Sequence, residues 1–208
     1  TKIELFIQCP RCFYLDRKLG ISRPSFPAFT LNSAVDVLLK KEFDIHRSNK
    51  EAHPLMKSYG IAAVPFEHEK MDEWRHNFIG VRFHHKPTNF VVFGAVDDIW
   101  INDQKELHVV DYKATSQEEE VSLNGKYRDG YKRQAEVYQW LLRENGFRVS
   151  DTAYFVYANG RKDLEAFDSK LEFDIKIIPY QGNASWVPKK LEEILKCLKS
   201  EEIPSAAF

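Results

Sequence analysis

FVVFGAVDDIWINDQKELHVVDYKA, residues 90–114, carries the strongest signal in the chain. β-Branched and aromatic residues crowd Phe90–Ile101, the polar run Asn102-Asp103-Gln104-Lys105 follows, and Leu107–Tyr112 is apolar again, which predicts a β-hairpin. Three charged residues stand where a strand in a core should carry none: Asp97, Asp111 and Lys113. Asp97 and Asp111 are fourteen residues apart, and the hairpin brings them side by side. Asp111 and Lys113 are two apart, so they share one face of their strand. Two carboxylates and one ammonium beside apolar strands are costly to bury without a counter-ion, and an oxygen-bound divalent cation supplies one. The stretch therefore predicts a metal-dependent site that cleaves phosphodiesters.

Upstream, Ile79–His85 predicts a strand that enters the hairpin through Lys86-Pro87-Thr88-Asn89, and Glu67–Phe78 a short helix. His84 and His85 are adjacent and must point to opposite faces, so one site could use only one of them. The seven histidines lack H-x-x-x-H spacing, which argues against a zinc enzyme. Thr30–Arg47 is the clearest amphipathic helix, with Leu31, Ala34, Val35, Leu38, Leu39 and Phe43 at helical spacing and Thr30 as N-cap. Asp36 lies at the edge of that stripe and Glu42 inside it. Either could face the hairpin, or Asp36 is solvated and Glu42 packs its stem while its carboxylate reaches water. Lys2–Leu19 reads as helix broken at Pro10, and Ser22–Pro27 as loop. Cys9 and Cys12 form a C-x-x-C, either half of a metal site or redox pair, or two small apolar residues on a helix.

Downstream, Thr115–Gly125 is a polar loop with solvated Glu118, Glu119 and Glu120. Tyr127–Asn145 predicts a second strong helix, stopped by Gly146, on which Gln134 and Tyr138 share a face. Between Lys126 and Arg148 six basic residues outnumber three acidic ones. Lys132, Arg133 and Tyr131 belong to this basic and aromatic mixture, which suits a nucleic-acid backbone as well as an ordinary salt-bridged helix face. Asp151–Tyr157 and Leu171–Ile178 read as strands separated by an Asn159-Gly160 turn, and Trp186–Ser200 as a last helix with Pro188 in its first turn.

This order predicts an α/β fold: a central mixed β-sheet flanked by helices, with an N-terminal helical segment. At 208 residues the chain suits one domain, 1–208, with residues 1–53 as its helical part and 54–208 as sheet core and flanking helices. A net charge of −1 means that any nucleic-acid partner is held by local patches rather than a global field. No apolar run approaches the roughly 20 residues that span a bilayer, which argues against a membrane partner. Three cysteines, an odd number, point away from a disulfide framework and toward a reducing cytoplasm.

G-A-V-D at 94–97, V-V-D-Y-K at 109–113 and Q-A-E-V-Y at 134–138 together resemble the PD-(D/E)XK nuclease superfamily. The nearest branch is the RecB-like one, which includes nuclease domains of recombination helicases and CRISPR-associated exonucleases; CPRCFYL at 9–15 resembles the opening segment of that branch. The resemblance implies a restriction-endonuclease-like core and a Mg²⁺- or Mn²⁺-dependent nuclease. Asp97 and Asp111 match its metal-binding acids and Lys113 its catalytic lysine, with the Tyr112 backbone carbonyl and Asp36 as further metal ligands. Gln134 and Tyr138 match a motif that supports the site and contacts DNA. The implied activity is exonucleolytic, on single-stranded DNA or duplex ends, in repair, recombination or CRISPR adaptation, beside a helicase or integrase partner. Several relatives bind a 4Fe–4S cluster through one N-terminal cysteine, matching Cys9, and three C-terminal ones. Here EEIPSAAF brings no cysteine, so either the cluster is lacking or its remaining ligands lie beyond the sequence. A catalytically inactive nucleic-acid-binding or scaffold subunit on the same fold is the alternative.

Overall fold

The structure, a computed structural model, describes residues 1–24, 29–125 and 128–205. Seven helices occur among them: α1 (Lys2–Gln8), α2 (Pro10–Lys18), α3 (Thr30–Asn49), α4 (Pro54–Ser58), α5 (Met71–Arg75), α6 (Asp129–Glu144) and α7 (Val187–Lys199). Strands β1 (Ala63–Pro65), β4 (Asp98–Asn102), β5 (Leu107–Thr115), β6 (Thr152–Gly160) and β7 (Phe173–Gln181) form a mixed sheet in that order, while β2 (Val81–His85) and β3 (Phe90–Gly94) form a separate antiparallel pair. Among these strands only the pair β5 and β6 runs parallel, and the crossover between them is α6. The fold is α/β and restriction-endonuclease-like, with helices on the sheet and an N-terminal helical segment.

Alternation along β5 builds both layers. Val109 faces a core shared with Leu141 and Leu142 of α6 and with Phe6 and Leu191 of α1 and α7. Val110 and Tyr112 face the opposite core, with Leu39 and Phe43 of α3 and Met56 of α4. The strand buried on both faces thus carries the charged pair Asp111 and Lys113 from its midpoint onward.

The expected hairpin is corrected in its first arm. Phe90–Gly94 pairs with β2, and only Asp98–Asn102 pairs with β5. The change of partner falls at Gly94, where a Cβ would stand 2.5 Å from Cε1 of Tyr138, so only glycine lets the strand pass α6. Asn159-Gly160 is likewise not a turn: both residues lie in β6, opposite Asp174 and Phe173. Reversal comes later, at Asp168 and Ser169, which take the left-handed conformation with φ 43° and 57°. The helix expected at Glu67–Phe78 shortens to α5, and Phe29 rather than Thr30 occupies the N-cap of α3, without a side-chain bond. Part of the Ser22–Pro27 loop and the Tyr127 start of the second strong helix lie outside the described residues.

Asp98 is fully buried and gathers the segment before β4. It pairs with Arg47 of α3 and, at 3.1 Å, with Arg75 of α5, and it accepts the Tyr112 hydroxyl at 2.7 Å. Arg75 also donates to the Asp97 carbonyl at 3.0 Å and grips both oxygens of Asp44. Removing the shared acid leaves two buried guanidinium groups short of a counter-charge. Asp98→Ala is expected to lower unfolding free energy by about 3–5 kcal/mol, read by urea denaturation; a loss within ordinary surface-mutation scatter refutes this role.

Candidate active site

Antiparallel pairing of β4 with β5 runs out at Asp98, opposite Val110; one further step of the register sets Asp97 opposite Asp111. Where the ladder stops, the Asp97 side chain takes over, its Oδ2 accepting the Tyr112 N–H at 2.9 Å. A strand residue presents its N–H and C=O to the same side, so the Tyr112 carbonyl is directed to the side of Asp97. Asp111 and Lys113 project together on the α6 face, with Asp111 Oδ2 ion-paired to Lys113 Nζ. The Lys113 ammonium also lies 4.7 Å from the Tyr131 ring centroid, a cation–π contact.

The opposite wall is α3. Lys40 Nζ sits 2.8 Å from Asp36 Oδ2 and 3.3 Å from Asp97 Oδ1 and so joins the two acids. Asn32 donates to the Ala114 carbonyl at 3.2 Å, tying the start of α3 to the end of β5. Between these walls lies a cleft of about 440 Å³, lined among others by Asp36, Asp97, Asp111, Tyr112, Lys113 and Gln134.

The expected residues divide sharply. Asp36, Asp97, Asp111, Tyr112, Lys113, Tyr131 and Gln134 all line the cleft. Tyr138 is buried behind it and receives a 2.7 Å hydrogen bond from Gln134 Nε2. Glu42 instead binds His53 at 2.8 Å and lies outside the cleft. Lys132 and Arg133 line a different cavity, with Trp186 and Lys190; Arg133 holds both oxygens of Glu4, at 2.7 and 2.8 Å. Cys9 caps α2 and donates its thiol to Cys12 Sγ at 2.7 Å, while Cys197 lies on α7. Lys40 and Asn32 escaped the sequence reading, although Lys40, one helical turn after Asp36, carries the i,i+4 signature of an ion pair.

Electrostatics set this site apart. Burial pushes Asp111 up to about 7, Lys113 opposes that rise, and the carboxylates of Asp97 and Asp36 add to it. Burial pulls Lys113 down, but Asp111 and Asp97 outweigh it and hold the ammonium above its ordinary range. No trio of His, Cys, Asp or Glu side chains forms a ready cation cage among the described residues; Lys40 and Lys113 stand among the acids instead. Asp111 Oδ2 is buried and faces the Lys113 ammonium. Two carboxylates and a strand carbonyl are a hard oxygen set, and Mg²⁺ commonly takes one or two carboxylates, completing its shell with water and phosphate. The residues fit such an ion.

A family model described as the PD-(D/E)XK nuclease superfamily matches residues 31–198, which run from α3 to α7 and include Asp36 through Gln134. No curated protein matches the chain.

Because Asp111 is raised from 3.8 to about 7, the folded state holds a proton between those values that the unfolded state has released. Metal-free stability from this position therefore falls as pH rises from about 4 through 7. Asp111→Asn removes that loss. Relative to the parent, the variant should gain stability between pH 5 and pH 8 in urea titrations with EDTA; a difference independent of pH shows that Asp111 is ionised throughout.

Proposed function

The chain belongs to the PD-(D/E)XK nuclease superfamily, and from that premise we propose that it hydrolyses phosphodiester bonds of DNA with Mg²⁺ or Mn²⁺. The observation that carries this reading is the convergence of Asp97, Asp111, the Tyr112 backbone and Lys113 on one cleft from the end of a single strand pair. Asp97, Asp111 and the Tyr112 carbonyl would hold the ion, with Asp36 as a further ligand. When bound, it supplies Lewis-acid polarisation of the scissile phosphate and a water of lowered pKa.

The chain's own residues do the rest. Lys113, fixed between Asp111 and the Tyr131 ring, offsets charge gathering on the phosphoryl oxygens and orients the attacking water. Its proximity favours ionised Asp111, the form needed for ligation. Gln134 is held in place by Tyr138, and Tyr131 stands half-exposed at the mouth, where a sugar or base can lie. Lys40 balances Asp36 and Asp97.

We read the chain as one unit over 1–208 that acts from strand ends, in repair, recombination or CRISPR adaptation beside a helicase or integrase; the RecB-like character of the opening CPRCFYL segment supports this. No helix among the described residues is long and apolar enough to cross a membrane. Three cysteines, an odd number, support a reducing cytoplasm as its compartment.

Purified protein should degrade DNA with Mn²⁺ and stop with EDTA. Asp111→Ala and Lys113→Ala should each lower the rate by about 10²-fold or more. End-labelled and circular substrates, single- and double-stranded, separate action at ends from internal cutting. If both variants cut as well as the parent, the cleft is not the catalytic site.

A further inference from the structure

The two-stranded sheet β2–β3 has one face turned to α6 and one turned outward. Val81, Phe83 and His85 point inward, and Phe83 and His85 meet Trp140 with ring centroids 5.5 and 6.0 Å apart. Outward stand Arg82 opposite Phe93 and His84 opposite Val91, both cross-strand pairs exposed. Phe78, 80% exposed, and Phe93, 49% exposed, are large aromatic surfaces with no place in either core.

Arg82 organises this face. Its guanidinium donates to the carbonyls of Ile79 at 2.7 Å and Phe78 at 2.5 Å, and it lies 5.3 Å from the Phe93 ring centroid. A cation is thus held by two backbone carbonyls against one exposed phenyl ring, that of Phe93, beside the exposed Phe78. Charge is one-sided here: residues 74–96 contain no Asp or Glu but include Arg75, Arg82, Lys86 and three histidines, in a chain whose net charge is −1. Arg75 is spent on Asp44 and Asp98, but Arg82, His84 and Lys86 are exposed. The strand also leads straight to the cleft. Phe93 is four residues before Asp97, at most about 14 Å of extended chain, a distance of a few nucleotides.

Exposed rings interleaved with fixed cations suit single-stranded nucleic acid, whose unpaired bases stack on aromatics while its phosphates meet the positive groups. We propose that the outer face of β2–β3, built from Phe78, Arg82, His84 and Phe93, is a stacking platform for single-stranded nucleic acid running to or from the cleft. The assignment of the single strand as substrate rests on the nuclease reading of the cleft; binding by the platform does not.

Fluorescence anisotropy with a labelled single-stranded oligonucleotide in EDTA tests the platform without cleavage. Phe78→Ala and Phe93→Ala should each weaken binding by about ten-fold, and Phe93→Trp should preserve it. Phe78 is too exposed for its loss to unfold the protein, so it guards against a folding artefact. Unchanged affinity in both alanine variants overturns the platform, as does loss of a co-purifying protein with oligonucleotide affinity unchanged. Hydrolysis of bis(p-nitrophenyl) phosphate with Mn²⁺ reports the cleft separately. A parent that hydrolyses nothing while the variants lose the oligonucleotide keeps the platform and removes the nuclease reading; a parent that hydrolyses both ester and DNA while the variants bind normally removes the platform alone.

Discussion

A backbone amide without a ladder partner governs the cleft. β4 stops at Asp98, opposite Val110, and the Tyr112 N–H two residues further along β5 would be left unpaired inside the protein. The Asp97 carboxylate accepts it. That bond costs Asp97 part of its freedom but fixes the carboxylate beside Asp111, in the cleft that α3 and α6, on opposite faces of the sheet, both line. Asp98 supplies the anchorage behind it, with two arginines and a tyrosine hydroxyl on one buried carboxylate. Adjacent aspartates thus do opposite jobs: Asp98 is neutralised and structural, whereas Asp97 stays half-open to the cleft.

The same division of charge explains how three acids tolerate one another. Lys40 bridges Asp36 to Asp97, and Lys113 neutralises Asp111 from the other side. Neither lysine is anchored by a buried network such as the one around Asp98; Lys113 is balanced instead by a carboxylate and an aromatic ring. Two ammonium groups are a provisional answer to the repulsion, since a divalent ion with more positive charge in less space competes for the same oxygens.

Much of this was legible beforehand because it depends on short-range pattern. The Asp111/Lys113 spacing fixes a shared face through the two-residue period of a strand, and Gln134/Tyr138 do so through the helical turn. The change of strand partner at Gly94 was not legible. Phe90–Ile101 is equally β-prone throughout, and what breaks it is the Tyr138 ring, forty-four residues further on. Lys132 and Arg133 look like their neighbours Tyr131 and Gln134 in sequence but turn to α1 and α7, because successive residues on a helix are 100° apart and only one side of α6 meets the cleft. Asn159-Gly160 misled for a related reason: a turn-prone dipeptide stays extended when nine cross-strand pairs hold it.

The N-terminal helices have a bearing on where this protein can be cut. Family similarity begins at residue 31, yet Phe6 and Phe13 share a core with Leu191 and Ile194, Glu4 grips Arg133 on α6, and the Tyr14 hydroxyl reaches the Ser200 carbonyl beyond α7. A fragment trimmed to the recognisable boundaries would uncover greasy surface on two helices at once and leave Arg133 without its acid. The stretch that inheritance has kept identifiable is shorter than the stretch that must be made together for the polypeptide to stay in solution.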